Sequence, residues 1–261
     1  MPWTADAPYA LVLDTETTGL DAPDVIELAR TQPLRFGEHE NYLAPTVEVD
    51  RWKPTKPIEP GAMAVHRIID ADLDGCPTWP GRWEPDAPVG YLLGHNVDHD
   101  WRSLKEPPVK RIDTLAIAQH VYPELGSYKL TALIFYLYEP GAARDLTEKA
   151  HESDTDVRLT LLLLSHLLYD QPTALFDEPK PTSWEALWHL SEYCRIPLRI
   201  GFSKYGPKNG KPGTLYTEVP TGMLKWIVHP DRVLEMDPWE VKATVRELAR
   251  RGVAVSVPVS R

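Results

Sequence analysis

A run of apolar residues that ends in two acids constrains the fold of this chain more than any other segment. The apolar run Tyr9-Ala10-Leu11-Val12-Leu13 is followed directly by Asp14-Thr15-Glu16. Such a run predicts a strand that is buried on both faces. Because side chains alternate along a strand, Asp14 and Glu16 project from the same face. Acids this close repel each other unless a cation lies between them, and Mg²⁺ and Mn²⁺ prefer carboxylate ligands. Two solvated acids at a strand end are the alternative.

Two later segments carry further acids and histidines. They are Gly94-His95-Asn96-Val97-Asp98-His99-Asp100-Trp101 and His151-Glu152-Ser153-Asp154-Thr155-Asp156. In this order, the three segments resemble the three motifs of the DEDD 3′→5′ exonucleases, in the subclass with His five residues before the last Asp. Residues 58–68 and 128–130 extend the resemblance, which is strongest to the exodeoxyribonuclease X group and covers most of the chain.

The resemblance implies a set of catalytic residues and a cofactor. Asp14, Glu16, Asp100 and Asp156 are expected to hold two Mg²⁺ ions, for which Mn²⁺ can substitute. Asp14 would bridge both ions, Glu16 and Asp156 would complete the first site, and Asp100 would serve the second. Two such ions stabilise the attacking and leaving oxygens in phosphodiester hydrolysis.

The second segment offers two competing acids. On a helix, Asp98 and Asp100 lie about 200° apart, so only one can face the metals. The family spacing from His95 and Asn96 selects Asp100, and Asp98 is expected to be a solvated surface acid. A zinc site formed by His95 and His99 is an alternative, since histidines four residues apart share a helix face.

The third segment must place His151 outside the helix that carries Asp156. Five residues advance about 140° beyond a full helical turn, so both side chains can serve one site only if His151 precedes the helix. Ser153 is predicted to cap that helix, with Asp156 three residues on. His151 can then reach a metal-bound water as a general base, a role that suits imidazole near neutral pH. A surface histidine beside Glu152 is the alternative.

Substrate contacts are also implied by the resemblance. Thr17, Thr18, Gly19 and Leu20 are expected to line the pocket of the 3′-terminal nucleotide, with Leu20 wedged against a base. His66 and Asn96 are expected to contact the sugar or a phosphate. Hydrogen bonds within turns are the alternative role for His66 and Asn96.

The pattern of segments predicts an α/β protein. Further strands are predicted at residues 25–30, 40–43, 89–94 and 109–112, and helices at residues 114–121, 129–137 and 153–168. Four prolines predict a loop across residues 44–62. Strands first, then strands alternating with helices, are typical of an α/β layer arrangement. The predicted fold is a ribonuclease H-like exonuclease domain, a mixed sheet flanked by helices, plus a small basic C-terminal α+β module.

The predicted domains differ in charge. Residues 1–170 are predicted to form the exonuclease domain, 171–182 an acidic, proline-rich linker, and 183–261 the C-terminal module. The module is predicted to contain a helix at 184–194, a strand at 196–202 and a helix at 238–251. The net charge is −10 for the chain, −16 for residues 1–194 and +6 for residues 195–261. Lys204, Lys208 and Lys211, near Tyr205 and Trp226, suit a surface that follows phosphates and stacks bases. A tight hairpin with solvated lysines is an equal alternative.

Together these features predict an enzyme, a metal-dependent 3′→5′ exodeoxyribonuclease. It would release 5′-mononucleotides from single-stranded or frayed 3′ DNA ends, in DNA repair or proofreading, beside a separate DNA polymerase or repair partner. The alternatives are a 3′→5′ exoribonuclease, because ribonuclease T and oligoribonuclease share the motifs, and a non-catalytic nucleic-acid-binding protein. Cys76 and Cys194 lack CxxC spacing, and no apolar stretch has the length of a signal peptide or a membrane span. A cytoplasmic protein without membrane contact is therefore expected.

Overall fold

One mixed sheet forms the centre of the N-terminal part of the protein. The structure, a computed structural model, describes residues 3–37, 45–170, 180–200 and 213–255. The strands are β1 (Ala10–Thr17), β2 (Val25–Thr31), β3 (Val47–Arg51), β4 (Tyr91–Gly94) and β5 (Lys110–Asp113), in the spatial order β3-β2-β1-β4-β5. β1 pairs antiparallel with β2 and parallel with β4. The buried central strand that the apolar run predicts is confirmed.

Helices flank this sheet. They are α1 (Pro60–His66), α2 (Asp98–Ser103), α3 (Thr114–Val121), α4 (Leu130–Leu137), α5 (Pro140–Thr147), α6 (Ser153–Ser165) and α7 (Trp184–Cys194). The C-terminal part of the chain contains α8 (Thr221–Ile227) and α9 (Pro238–Arg250). The predicted α/β architecture, a mixed sheet flanked by helices, is confirmed. No helix in the described ranges is long and apolar enough to cross a membrane.

Along β1, side chains alternate between a face that begins with Leu11 and Leu13 and a face that carries the acids. Leu11 and Leu13 pack into a core with Trp3, Trp52 and Val97. The intervening positions face α6, which packs along β1, β2 and β3. Asp14 and Glu16 continue that second face, so the acids lie at the end of β1 where the helix begins.

The proline-rich region is the main error in the predicted elements. Residues 47–51, placed in the loop of residues 44–62, form β3 and pair antiparallel with β2 along their whole length. The prolines flank this strand without interrupting it. α1 begins at Pro60, a position where the missing N–H of proline is tolerated. The predicted strand at residues 40–43 lies outside the described residues.

The chain divides into two compact units, Met1–Ser191 and Glu192–Arg261. The first unit extends past the predicted module boundary at residue 183 because α7 bonds to the sheet. Glu185 accepts hydrogen bonds from Tyr91 and Lys110, and the Ser191 hydroxyl accepts one from the backbone N–H of Asp113. Most of the predicted linker lies outside the described residues, so its linker role stays a prediction.

The second unit has its own small core. α8 and α9 pack together around Ile200, Tyr216, Leu224 and Leu248. The strand predicted at residues 196–202 is only partly described. Its described residues, 196–200, contribute one isolated bridge, between Arg199 and Leu215.

Candidate active site

The acid pair on β1 lies where the regular strand pairing becomes irregular. Asp14 and Glu16 are half-buried on one face, opposite Ala29 and Glu27 of β2. The register between β1 and β2 then shifts between Glu16 and Thr17. Such bulges bend a strand and re-aim its side chains, which is why they are frequent beside active sites.

Asp100 joins this pair from the first turn of α2. Its side chain is buried, and its Oδ1 accepts hydrogen bonds from the Thr15 backbone N–H at 2.9 Å and the Thr15 hydroxyl at 2.7 Å. The paired register between β4 and β1 ends at Leu93 and Val12, so beyond that point Thr15 bonds to α2. Asp100 is thereby fixed beside the end of β1.

Asp98 points elsewhere, as the helical spacing requires. Its carboxylate forms an ion pair with Arg111 of β5 at 2.8 Å, and its side chain is 19% exposed. The expectation of a freely solvated surface acid is therefore wrong. The preference for Asp100 over Asp98 at the acid cluster is supported by their burial and partners.

The start of α6 brings in the last acid and the histidine. His151 precedes the helix, as the spacing argument predicts, and has the left-handed backbone conformation, with φ of 72°. That conformation is uncommon for a residue with a side chain. The His151 N–H donates to Asp156 Oδ1 at 3.4 Å, and the His151 side chain is exposed. The Asp156 carboxylate is therefore tied to the His151 backbone, and the imidazole is accessible.

The prediction that Ser153 caps this helix is wrong. Glu152 occupies the cap position, and Ser153 is the first helical residue. The Ser153 hydroxyl is buried and donates to Glu27 Oε1 at 2.6 Å. A side chain committed to β2 cannot also cap its own helix.

Burial and mutual repulsion raise the pKa values of the two acids on β1. Burial raises the pKa of Asp14 well above its usual range, and repulsion from Asp100, Glu16 and Asp156 raises it further. Burial, then repulsion from Asp156 and Glu27, raises the pKa of Glu16 to about 8. Repulsion of this kind requires that these carboxylates are neighbours.

The other two acids behave similarly. Burial raises the pKa of Asp100 to about 7 despite the opposing hydrogen bonds from Thr15. Burial also raises the pKa of Asp156, against the lowering effect of the His151 N–H bond. A cluster of carboxylates that resists ionisation in this way is stabilised by any cation that binds among them.

Hard divalent cations fit this donor set by chemistry, since carboxylate oxygens are their preferred ligands. Among the described residues, however, no three Asp, Glu, His or Cys side chains are already grouped to hold one metal ion. Thr15 holds one carboxylate oxygen of Asp100, Oδ1. Binding of an ion therefore requires side chains of the cluster to turn towards it.

The alternative zinc pair is not supported. The two ring nitrogens of His95 face the Thr114 hydroxyl at 3.0 Å and the Tyr128 carbonyl at 2.8 Å. Burial lowers the pKa values of both His95 and His99. His95 thus ties the end of β4 to the starts of α3 and α4, with no nitrogen left for a metal.

Comparison with known proteins identifies the family. The family model described as Exonuclease, RNase_T, matches residues 11–164. The chain belongs to this exonuclease family. This exonuclease is also 32% identical over 226 residues to exodeoxyribonuclease 10 of Escherichia coli strain K12, covering 83% of this chain and 89% of that protein. The predicted family and the prediction of an enzyme are confirmed, and the fold is the ribonuclease H-like one of the family.

Solved structures of exonucleases are similar in part. Exonuclease X in complex with 5′ overhanging duplex DNA is 21% identical, with a TM-score of 0.45, and the match covers 68% of this chain and 99% of that one. E. coli exonuclease I in complex with a dA16 oligonucleotide is 17% identical, with a TM-score of 0.46, over 66% of this chain and 42% of that one. Exonucleases of this family generally depend on divalent metal ions.

Of the four residues expected to line the nucleotide pocket of this exonuclease, only Leu20 presents a freely exposed side chain, at 85% exposure. Thr17 and Thr18 are buried and bond within the loop. The Thr17 hydroxyl donates to the Gly19 carbonyl, and the Thr18 hydroxyl accepts from the Asp24 N–H. Both threonines therefore shape the loop that presents Leu20.

Gly19 lies close to the Glu59 side chain, an approach that the sequence did not reveal. A Cβ at this position would lie 2.3–2.5 Å from the carboxylate atoms of Glu59. The Glu59 N–H donates to the Thr18 carbonyl, which fixes the loop against the start of α1. A side chain at residue 19 would therefore require the exposed Glu59 carboxylate to move.

His66 and Asn96 have different environments. His66 is buried, and its Nδ1 accepts from the Ile68 N–H, so its Nε2 carries the proton that points at the Thr17 carbonyl. That arrangement favours the structural alternative for His66. Asn96 has an exposed side chain and a left-handed backbone, and its N–H donates to Asp113. Lys204, Lys208 and Lys211 lie outside the described residues.

Glu27 is the residue of the site that sequence reasoning missed. It is buried, lies directly opposite Glu16, and bonds to both Arg51 and Ser153. The available signal was an acid inside the otherwise apolar segment Val25-Ile26-Glu27-Leu28-Ala29. An acid that folding buries in a strand requires partners.

Proposed function

We propose that this exonuclease is a metal-dependent 3′→5′ exodeoxyribonuclease that releases 5′-mononucleotides from single-stranded or frayed 3′ DNA ends. The observation that carries the proposal is the convergence of Asp14, Glu16, Asp100 and Asp156 at the end of β1, with exposed His151 beside Asp156. The choice of DNA is supported by 32% identity to a protein named exodeoxyribonuclease 10.

The acids would hold two Mg²⁺ ions, for which Mn²⁺ can substitute. Bound there, such ions stabilise the negative charge on the attacking and leaving oxygens. Asp14 would contact both ions, Glu16 and Asp156 the first, and Asp100 the second. The raised pKa values of the cluster support this assignment, because ion binding relieves the repulsion that raises them.

His151 would act as the general base. Its side chain is exposed, and its backbone is anchored on Asp156, so the imidazole can turn towards a water beside that carboxylate. The imidazole would take the proton of the water as its oxygen attacks the terminal phosphodiester. The nucleotide leaves with the phosphate on its 5′ side, and the shortened strand keeps a 3′-hydroxyl.

The general-base role predicts a selective loss in His151→Ala. The rate should fall about 10²- to 10⁴-fold, while melting temperature and Mn²⁺ affinity remain those of the wild type. His189→Ala, which removes an exposed histidine of α7, is the matched control and should retain full activity. Near-wild-type turnover of His151→Ala would discard the assignment.

The terminal nucleotide would lie against the loop of residues 17–20. Leu20 is positioned to wedge against a base, since unpairing one terminal base costs only a few kcal/mol. Thr17, Thr18 and Gly19 would form the pocket wall through their backbone, and Asn96 would contact the sugar or a phosphate. For His66, we propose an indirect role through its bond to the Thr17 carbonyl.

The C-terminal lysines would hold the strand while the first unit cuts it. Replacing Lys204, Lys208 and Lys211 by Gln should weaken single-stranded DNA binding and flatten its salt dependence. The slope of log affinity against log salt should fall by about 2, from roughly 0.7 per phosphate contact. An unchanged slope would show that these lysines are solvated surface residues that do not contact the DNA.

Repair of DNA ends or proofreading in the cytoplasm, beside a DNA polymerase or another repair protein, would be the cellular use. An exoribonuclease activity is the second candidate, because none of the residues at the acid cluster discriminates the 2′-hydroxyl. A digestion assay with chemically matched DNA and RNA strands separates the two.

The decisive experiment uses one 5′-labelled oligonucleotide as DNA and as RNA, incubated with Mg²⁺. The proposal expects a ladder that shortens from the 3′ end of DNA, faster than for RNA. Excess EDTA or the Asp14→Ala variant should abolish it. Faster digestion of RNA would establish the exoribonuclease instead, and turnover that persists in EDTA would overturn the metal mechanism.

A further inference from the structure

Glu27 is a buried acid that is not one of the four carboxylates proposed to hold the metal ions. It lies directly opposite Glu16 across the β1–β2 ladder, so both side chains share the face that α6 covers. Like charges at directly opposed positions destabilise a sheet. Glu27 is nevertheless only 3% exposed. Its presence at this position therefore needs contacts that hold its carboxylate.

Two contacts, one to each carboxylate oxygen, do so. Arg51 lies opposite Glu27 on β3, and its Nε donates to Glu27 Oε2 at 2.5 Å. The Ser153 hydroxyl donates to Glu27 Oε1 at 2.6 Å. Glu16, Glu27 and Arg51 thus form a row across three adjacent strands, and Glu27 links this row to the first residue of α6.

The position of Ser153 makes this link relevant to catalysis. It lies two residues after His151 and three before Asp156, so it shares a helix face with Asp156. The His151 backbone is held in a left-handed conformation. A helix start that carries such strain keeps its place only if surrounding contacts hold it. Contacts that do so include Ser153 on Glu27, the His151 N–H on Asp156 and the Glu152 N–H on the Lys149 carbonyl.

We propose that Glu27 is a positioning residue for the catalytic constellation, acting through Ser153 on the start of α6 and kept in place by Arg51. It sets where Asp156 and His151 lie relative to Asp14 and Glu16, without touching the substrate. This inference rests on the proposed function, because it concerns the same acids. It adds Glu27, which lies outside the three exonuclease-like segments of the sequence.

The test compares variants that change one bond each. Ser153→Ala removes the hydroxyl while keeping a good helix former, and Ser153→Thr restores a hydroxyl. Glu27→Gln keeps an oxygen that can accept from Ser153 but loses the ion pair with Arg51. Ser165→Ala is the matched control, a buried serine at the other end of the same helix. Each variant is measured for kcat, KM for a DNA oligonucleotide, Mn²⁺ affinity by calorimetry without DNA, and melting temperature.

Ser153→Ala should lower kcat and weaken Mn²⁺ binding by about 10- to 100-fold, the usual effect of removing a partner of a metal ligand. KM should change little, Ser153→Thr should recover most of the loss, and Ser165→Ala should behave as the wild type. In the double variant Glu27→Gln/Ser153→Ala, the loss should not exceed that of the more affected single variant, because Glu27 acts on α6 only through the Ser153 hydroxyl, which Ser153→Ala removes.

A Ser153→Ala protein with wild-type kcat and Mn²⁺ affinity, even at a reduced melting temperature, would overturn the inference, as would additive losses in the double variant. The proposed function and the positioning role of Glu27 can be refuted separately. A wild-type protein that binds Mn²⁺ but digests neither DNA nor RNA would refute the proposed function. The Mn²⁺ affinities of the variants would still decide whether Glu27 positions Asp156.

Discussion

The acid cluster at the end of β1, in the first unit of this exonuclease, and Glu247, in the second, are carboxylates in opposite environments. In the second unit, Glu247 of α9 is buried and accepts hydrogen bonds from Arg250 and Arg251 at 2.7–2.8 Å. The bonds from Arg250 lower the pKa of Glu247 to about 2. In the first unit, within the described ranges, Asp14 and Glu16 form no ion pair with Lys or Arg, and burial raises their pKa values.

The difference separates acids that stabilise a fold from acids that a fold tolerates. A paired carboxylate is more stable ionised in the folded state than in the unfolded chain, so it contributes to stability. An unpaired buried carboxylate has the opposite effect, and a protein that keeps four together retains them for another purpose. Removing an acid of the cluster at the end of β1 should therefore affect chemistry, and removing Glu247 should affect stability.

The largest expected effect is on the rate of Asp100→Asn. This change keeps the shape of the side chain and an oxygen that accepts from Thr15, but removes the charge. Loss of a metal ligand forfeits several kcal/mol of charge stabilisation, so kcat should fall about 10³-fold or more. Single-turnover digestion of a labelled oligonucleotide measures this fall.

Asp98→Asn is the matched control, since Asp98 lies on the same helix and pairs with Arg111 away from the cluster. It should lose only the modest stability of that ion pair and keep its activity. Comparable losses in both variants would mean that α2 as a whole, and not the Asp100 carboxylate, supports the reaction.

The parts of the site that could be predicted from sequence are those fixed by local backbone geometry. Alternation along β1 was enough to place Asp14 and Glu16 on one face, and helical geometry was enough to place His151 before α6. Both are local consequences of backbone geometry. The Glu27–Ser153 bond joins residues far apart in the sequence, so no local pattern contains it.

In the fold, too, elements with a local sequence pattern were predicted and those that depend on distant partners were missed. The helices at residues 114–121 and 184–194 were predicted at their observed bounds, because their hydrophobic pattern is local. β3 was missed because prolines on both sides of Val47–Arg51 predicted a loop, although these residues alternate polar and apolar as strands do. The strand forms through its pairing with β2. Asp98 of α2 was expected to be solvated because its partner, Arg111, lies on β5, and no local pattern around Asp98 reveals that pairing.

A second, smaller effect concerns stability without metal between pH 6.5 and 8.5. In this window the unfolded chain has its carboxylates ionised, while folded Glu16 and Asp100 still take up protons, with pKa values of about 8 and about 7. The folded state therefore binds more protons, so its melting temperature should fall by several degrees as pH rises. Burial lowers the pKa values of His66 and His95 from the usual 6.5, so these histidines titrate below this window and do not affect the expected slope.

Calorimetry in EDTA measures this slope, and saturating Mg²⁺ should remove most of it by satisfying the acids. Asp14→Asn should be more stable than the wild type at pH 8 in EDTA, since it relieves repulsion within the cluster. A melting temperature that rises with pH across this window would show that the acids are already compensated by other charges.

The smallest expected effect is that of Glu247→Gln, which should leave kcat unchanged and lower the melting temperature of the second unit by a few degrees at pH 7. Glu235→Gln, which alters an exposed acid of the same unit, is the control and should melt as the wild type does. Because pairing lowers the folded pKa of Glu247 from 4.5 to about 2, its contribution is present above pH 4.5 and is lost as pH falls towards 2. The difference in melting temperature between variant and wild type should therefore shrink on acidification. The fall of the melting temperature with rising pH in EDTA, which the first unit causes, should persist in Glu247→Gln. Equal melting temperatures at pH 7 would contradict the contrast, because a buried acid with two arginine partners would then contribute no more than an exposed one.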